Sequence, residues 1–425
     1  MEDVQGGICA VADAVDGSRV LRRLDELAAI GAVPGGGITR IAFSTEERRA
    51  MDLVAGWMRE AGLTVAFDSF GSMFGSTDGN IPGSSASLAG SHIDTVPNGG
   101  RLDGALGVVA AIESVLAMRD CDRMPEGALE VVVWRCEEPV RFSQGKVGSM
   151  LFAGLTTPQD LRPVEHPPFD LHPALASEGE RPQRAADRTV AGCLELHIEQ
   201  GRRLEHAGRT IGVVTAIAAP IRLRIEIQGS ADHSGATPMD ERRDALCAAA
   251  EVVLAVERAG REEAQNGSVA TGAQLTCRPG AMNVIPGEAT VLVDVRGIDA
   301  ASMERVVREI EAAATAIGLR RGVEVEVILL SRGAPTRFQD WMVRRLEGTA
   351  RALGYEPVLM PSGAGHDVQC LAALAPAGML FVPSVRGLSH CPEEHTEPED
   401  LIAGTRALAA CWWRVATAPV GGQLS

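Results

Sequence analysis

The sequence has no excess of positive charge: 40 lysines and arginines stand against 56 aspartates and glutamates, a formal net charge of -16. A surface of that sign repels phosphate backbones and anionic lipid, so nucleic acid and membrane surfaces are not expected as partners. There is no apolar run near the roughly 20 residues needed to span a bilayer. The start, Met1-Glu2-Asp3-Val4-Gln5, is acidic. It carries neither the basic region nor the apolar region of a secretory leader, so a cytoplasmic protein is expected. None of the nine cysteines forms a Cys-x-x-Cys pair. In such a chain they read as reduced, mostly small core residues. Cys136 and Cys391, each beside a candidate site residue, are read the same way. No internal repeat is found.

At 425 residues the chain exceeds what one hydrophobic core usually holds, and two or three domains are expected. To about residue 217, helical and strand patterns alternate. Apolar spacing predicts helices over 20–32, 45–61 and 107–118, the last with one apolar face. Strands are predicted at 86–90 and 128–134; the second is nearly continuous in apolar residues, as in a sheet covered on both faces. Residues 157–190, rich in proline and charge, read as a surface excursion with little regular structure. The pattern then changes. Ile221, Leu223, Ile225 and Ile227 alternate with polar residues, marking a half-buried strand. A helix at 241–259, strands at 270–277 and 289–295, a helix at 301–317 and a strand at 323–330 follow. That β-α-β-β-α-β order is a split, ferredoxin-like α+β unit. It is read as an inserted domain over 218–333 within an α/β catalytic domain of 1–217 and 334–425. After it come a helix near 340–353 and a strand at 379–382.

The residues that carry chemistry lie at the ends of these strands. Gly90-Ser91-His92-Ile93-Asp94-Thr95-Val96-Pro97 leads into Gly100-Arg101-Leu102-Asp103-Gly104. An imidazole and two carboxylates around one loop suit a divalent metal. If the strand continues, His92 and Asp94 point to the same side, and Asp94 is placed to orient the His92 ring. Glu137-Glu138 follows the buried strand at 128–134. Adjacent side chains diverge, so one suits a metal ligand and the other a general base. His197, within Leu196-His197-Ile198-Glu199-Gln200-Gly201, and His390, after the apolar strand at 379–382, complete the candidates. The glycine-rich loop Ser362-Gly363-Ala364-Gly365-His366-Asp367 suggests a backbone that approaches a ligand, with His366 touching it. His166, His172, His206 and His395 read as surface residues without a role.

Taken together, these stretches resemble the M20-type metallo-amidohydrolases. The nearest branch is that of the N-carbamoyl-L-amino-acid hydrolases, β-ureidopropionases and allantoate amidohydrolases. Further matching stretches are Asp232-His233-Ser234-Gly235, Met282-Asn283-Val284-Ile285, Asp294-Val295-Arg296 and Ser389-His390, all in the family's order. His197 with Gln200 discriminates most, because the peptidase branch tends to carry a carboxylate at the His197 position.

The resemblance implies an α/β/α catalytic domain with a ferredoxin-like dimerisation lid. It implies two divalent ions per subunit (zinc, manganese, cobalt or nickel), one held by His92 and His197, the other by Glu138 and His390. Asp103 would bridge them. Catalytic roles fall to Glu137 as base, to Asp94, and to His233 of a partner lid as the group that polarises the scissile carbonyl. Asn283 and Arg296 would hold a substrate carboxylate, with Gln200 lining the pocket. The implied reaction is cleavage of the carbamoyl amide of a small N-carbamoyl-L-amino acid by a homodimer. Allantoate or β-ureido acids are the alternative substrates, and an aminoacylase, a dipeptidase or a non-catalytic metal-binding oligomer are weaker readings. Two departures bear on substrate preference. Pro139 stands where the family usually has glycine after the glutamates, and Cys391 follows the final histidine where a small polar residue is commoner.

Overall fold

The computed structural model describes residues 2–164, 169–176 and 181–417. The chain divides into two compact units: Met1–Thr215 with Phe338–Met360 and Gly365–Ser425, and Ala216–Arg337 with Pro361–Ala364.

The first unit is organised by a twisted sheet. Its strands lie side by side in the order Thr64–Phe67, Met73–Ser76, Ala128–Trp134, Ser85–His92, Thr189–Ile198, Ala377–Val382 and Gly212–Ile217. The four central strands, from Ala128–Trp134 to Ala377–Val382, are parallel. Their registers set His92 beside Trp134 and Val382 beside Ile198. All four therefore end at one edge, the place where open α/β sheets keep their sites. Val131, Val132 and Val133 are buried on both faces of the sheet, each worth about 1.5–3 kcal/mol relative to exposure.

Two sequence readings need correction here. The helix Ala105–Asp120 is buried on nearly every side, Leu116, Arg119 and Asp120 excepted, rather than having one apolar face. Its small residues let it sit within the core against the helix Pro398–Ala416 and the sheet. Residues 157–190 hold more structure than a bare excursion. They include a 3-10 turn, Pro158–Asp160, and a helix, Leu171–Ala176, and they end in the strand that begins at Thr189. His166 lies outside the described residues.

The second unit is an antiparallel sheet in the order Glu324–Arg332, Ala219–Gln228, Glu288–Gly297 and Ser268–Arg278. In chain order that is strand four, one, three, two, the arrangement of a ferredoxin-like unit. Ile221, Leu223, Ile225 and Ile227 meet Val291, Val293 and Val295 and two helices, Ala245–Glu263 and Ala300–Arg321, in one core. The first helix starts later than the expected 241. The Asp244 side chain accepts the Cys247 N–H and caps it there. Among the described residues no helix is long and apolar enough to cross a membrane.

Candidate metal centre

His92 is the last residue of its strand, and the chain leaves the sheet at Ile93. The buried Arg40 side chain holds that exit. Its Nε donates to the Ile93 carbonyl at 2.6 Å, and its Nη1 donates to the carbonyls of Leu27 and Ile30 at 2.9 and 2.8 Å. Burial lowers the Arg40 pKa to about 10, against the opposing charges of Asp94 and Glu47.

The strand stops before Asp94, so the expected pairing of the Asp94 carboxylate with the His92 ring is replaced. His92 Nδ1 lies 3.0 Å from the Asp94 main-chain carbonyl, while the carboxylate stands at 3.6 Å. The carboxylate instead accepts the N–H groups of Glu137 and Glu138 at 3.2 and 3.1 Å. Asp94 thus fixes the glutamate pair as well as the histidine. Burial, together with the charges of Glu47 and Glu137, raises its pKa to about 7 despite His92.

His197 has a similar tether: its Nδ1 lies 2.9 Å from the Ile198 carbonyl. A carbonyl only accepts, so in both rings Nδ1 carries a hydrogen, and Nε2 is the nitrogen turned toward the carboxylates. Both Nε2 atoms face Asp103 Oδ1, at 3.5 Å from His92 and 3.1 Å from His197. The other oxygen, Asp103 Oδ2, faces His390 Nε2 at 3.1 Å. His390 Nε2 also lies 3.5 Å from Glu138 Oε1. Two groups able to hold a metal result, His92-Asp103-His197 and Asp103-Glu138-His390, each with its donor atoms within 4.8 Å of one another. They share Asp103, one oxygen toward each. Glu137 stands at the rim, its Oε2 3.9 Å from His92 Nε2.

The helix that follows Asp103 comes very close. Gly104, at φ 66°, leaves no room for a side chain, because a Cβ would lie 2.5 Å from the His92 ring. Glycine is needed here for both conformation and space.

The electrostatics favour a cation. Burial opposes charge on Asp103, but the bonds from His197, His390 and His92 outweigh it and hold the carboxyl well below its usual range. For His390 the bond to Asp103 leads, with Glu138 adding to it against burial, and the pKa rises to about 9. Glu138 goes the other way: burial and the charges of Glu137 and Asp103 lift it to about 8. Buried carboxylates thus outnumber fixed positive charges at this point, and three imidazole nitrogens with carboxylate oxygens form an N/O donor set suited to divalent first-row metals. The residues present fit the implied metals.

The remaining candidates divide. Gln200, at φ 57°, donates from Nε2 to Asp103 Oδ2 at 2.9 Å and to Ser389 Oγ at 3.2 Å; its buried Oε1 has no partner among the described residues. His366 is buried, its ring edge-on to His197 at 4.5 Å between centroids. His233, Asn283 and Arg296 belong to the second unit. His233 is exposed and pairs with Val284; its Nδ1 accepts the N–H groups of Gly235 and Ala236 at 3.0 and 3.2 Å. Asn283 is exposed, and its carbonyl accepts from Ser234. Arg296 is paired with Asp294 at 3.2 Å. His172, His206 and His395 are exposed.

A comparison with known sequences matches residues 88–414 to Peptidase family M20/M25/M40. The chain belongs to this family. Among its relatives is the N-carbamoyl-L-amino acid amidohydrolase of Geobacillus stearothermophilus, 40% identical over 95% of this chain and 99% of that protein. The allantoate amidohydrolase of Bacillus subtilis is 33% identical over 92% of this chain and 96% of its own. A solved hydantoinase/carbamoylase family amidase from Burkholderia multivorans superposes with a TM-score of 0.88 at 34% identity, covering 95% of this chain and 99% of that one.

Sequence reading missed several residues that build this M20 site. Glu394 accepts the N–H groups of Leu102 and Asp103 at 2.8 and 3.1 Å and the Ser389 hydroxyl at 2.8 Å, so it fixes the Asp103 loop. Glu195 takes the Ser91 hydroxyl at 2.6 Å and the Val368 N–H at 2.9 Å. With His197 and His366 it forms a third ligand-capable group. Its place two residues before His197 on one strand face was a readable signal. Arg40 and Glu394 had none, because their partners are distant in sequence.

Proposed function

We propose that this chain is a divalent-metal amidohydrolase that removes the carbamoyl group of small N-carbamoyl-L-amino acids. The observation that carries the reading is the division of Asp103 between two histidine-bearing groups, with Glu137 beside them. Two bound cations would supply Lewis-acid charge that polarises the ureido carbonyl and acidifies water. Zinc, manganese, cobalt and nickel all suit the donors.

The chain's own groups do the rest. Glu137, its backbone held by Asp94, takes a proton from the attacking water and returns it to the leaving nitrogen. The amino acid leaves, and the carbamate left behind breaks down to ammonia and carbon dioxide. Gln200 and His366 line the pocket. On the family resemblance, His233 stabilises the developing oxyanion, and Asn283 and Arg296 grip the substrate carboxylate, for which a guanidinium fork is suited. The resemblance also supports a homodimer in which His233 serves the neighbouring subunit.

Hydrolysis of a panel of N-carbamoyl-L-amino acids, allantoate and N-acyl-L-amino acids tests the reading. Turnover of the first class above the others is expected; faster cleavage of acyl amino acids overturns it. For the crossed lid, mixing Glu137→Gln with His233→Ala subunits should restore part of the activity. Mixed dimers that form and stay inactive refute the crossing.

A further inference from the structure

Lys146 is the only lysine among the 40 basic residues of this sequence; the rest are arginine. It stands in the first unit beside the candidate centre. Three consecutive backbone bonds run from its segment to the turn that carries the glutamates: Lys146 N–H to the Glu137 carbonyl at 2.6 Å, Val147 to Cys136 at 2.9 Å and Gly148 to Arg135 at 3.0 Å. Lys146 itself sits at φ 60°, a left-handed conformation that a lysine adopts only at a cost. The Lys146 carbonyl is engaged as well, by Met150 N–H at 2.9 Å and Ser149 Oγ at 3.2 Å. Its stem is thereby aimed across at the glycine-rich loop before His366. A Cβ on Gly365 would lie 2.6 Å from Lys146 Nζ, so the loop leaves the ammonium its space.

That ammonium has no ion pair or hydrogen bond among the described residues, although the side chain is half-buried. Its charge is felt at His366, where it acts in the same direction as burial. A half-buried cation held in place between the Glu137 turn and the His366 loop, and matched to no acid among the described residues, calls for an acid from elsewhere.

We propose that Lys146 binds an acidic group on the substrate's side chain, so that the preferred substrates are ureido acids bearing a second carboxylate, of the aspartate or glutamate type. This rests on the carbamoyl-hydrolase reading and narrows its substrate class. Lys146 is then a specificity-determining residue rather than part of the hydrolytic step.

The test compares kcat/KM for N-carbamoyl-L-aspartate and N-carbamoyl-L-glutamate with N-carbamoyl-L-alanine and N-carbamoyl-L-methionine, using the metal-loaded enzyme and Lys146→Met. The wild type should favour the diacids. In Lys146→Met the diacid-to-neutral ratio should fall ~10- to 100-fold, the range of a hydrogen bond to a charged group, and Lys146→Arg should recover part of it. An unchanged ratio, or a wild type that favours neutral side chains, overturns the proposal.

A second measurement needs no turnover. Because the chain has a single ε-amine, amine-selective acylation can be read at one peptide by mass spectrometry. Succinate should protect Lys146 from acylation where acetate at the same concentration does not. Protection by succinate in a protein that cleaves no ureido acid would leave the anion site standing and remove the carbamoyl reading. Equal labelling with both anions would remove the site.

Discussion

The strand Ala128–Trp134 has buried acids near both ends, and they are neutralised differently. Near its start, Glu130 is fully buried between Arg184 at 2.9 Å and Arg188 at 3.1 Å, and Arg188 also grips Asp78 at 2.9 Å. Asp78 is pulled down to about 2: hydrogen bonds from Ser76, Arg188 and Ser84 outweigh its burial. Past the other end, Glu138 is also enclosed but has no arginine partner among the described residues. Its neighbours are Glu137, Asp103 and the imidazoles of His92 and His390. Guanidinium charge is permanent and closes a site. Imidazole charge is exchangeable, so a ring can give up its proton and ligate a cation. One end of the strand is therefore a clamp on the fold, and the other keeps an electrostatic place for metal.

The sharpest way to break this contrast is Asp103→Ala. With the shared carboxylate gone, both groups lose an oxygen, and turnover should fall to background with metal content well below two per chain. Two tightly held ions in that variant, counted by elemental analysis, would remove Asp103 from its bridging role. Glu137→Gln should keep its metal and lose about 10²–10⁴-fold in kcat; near-normal turnover would sink the base assignment.

At the clamp end the effect should be on folding alone. Arg188→Met leaves Glu130 and Asp78 short of a buried cation and should lower unfolding free energy by about 3–5 kcal/mol. Metal content per folded chain should stay the same. A fall in metal occupancy together with stability, seen by calorimetry and elemental analysis on one sample, would mean that the two ends are not separate. The smallest effect is expected from Asp94→Asn, which weakens the hold on the Glu137 and Glu138 amides and on the strand exit after His92. A loss of about 10–100-fold is typical for such supporting groups. No change in kcat/KM would show that the carboxylate does not position the pair.

Much of this arrangement was legible because the candidate ligands ride on strong local signals. The Val131–Val133 run marks a buried strand, and Glu137-Glu138 stands just past its end. The alternation from Ile221 to Ile227 marks a half-exposed sheet, and the element order of the second unit followed from it. The failures are equally physical. Helix periodicity read one apolar face at 107–118 because Ala110, Ala111 and Ser114 look neutral in sequence, yet they are the small residues that let the helix be enclosed. The arginines of the clamp, Arg184 and Arg188, lie in a proline- and charge-rich stretch that read as surface. Arg40 and Glu394 act through backbone groups far away in the chain, and no spacing rule points to them. The role of Asp94 was misread in part because the strand ends at His92, two residues short of Asp94, which alternation would have placed on the same face.

The central claim is that the Asp103 cluster is a two-cation hydrolytic site, and a metal titration tests it most directly. Protein stripped with a chelator would be titrated with manganese while hydrolysis of an N-carbamoyl-L-amino acid is followed. The account predicts no turnover without metal and activity that saturates at two equivalents per chain. Full activity in the stripped protein, or saturation at one equivalent, would contradict it.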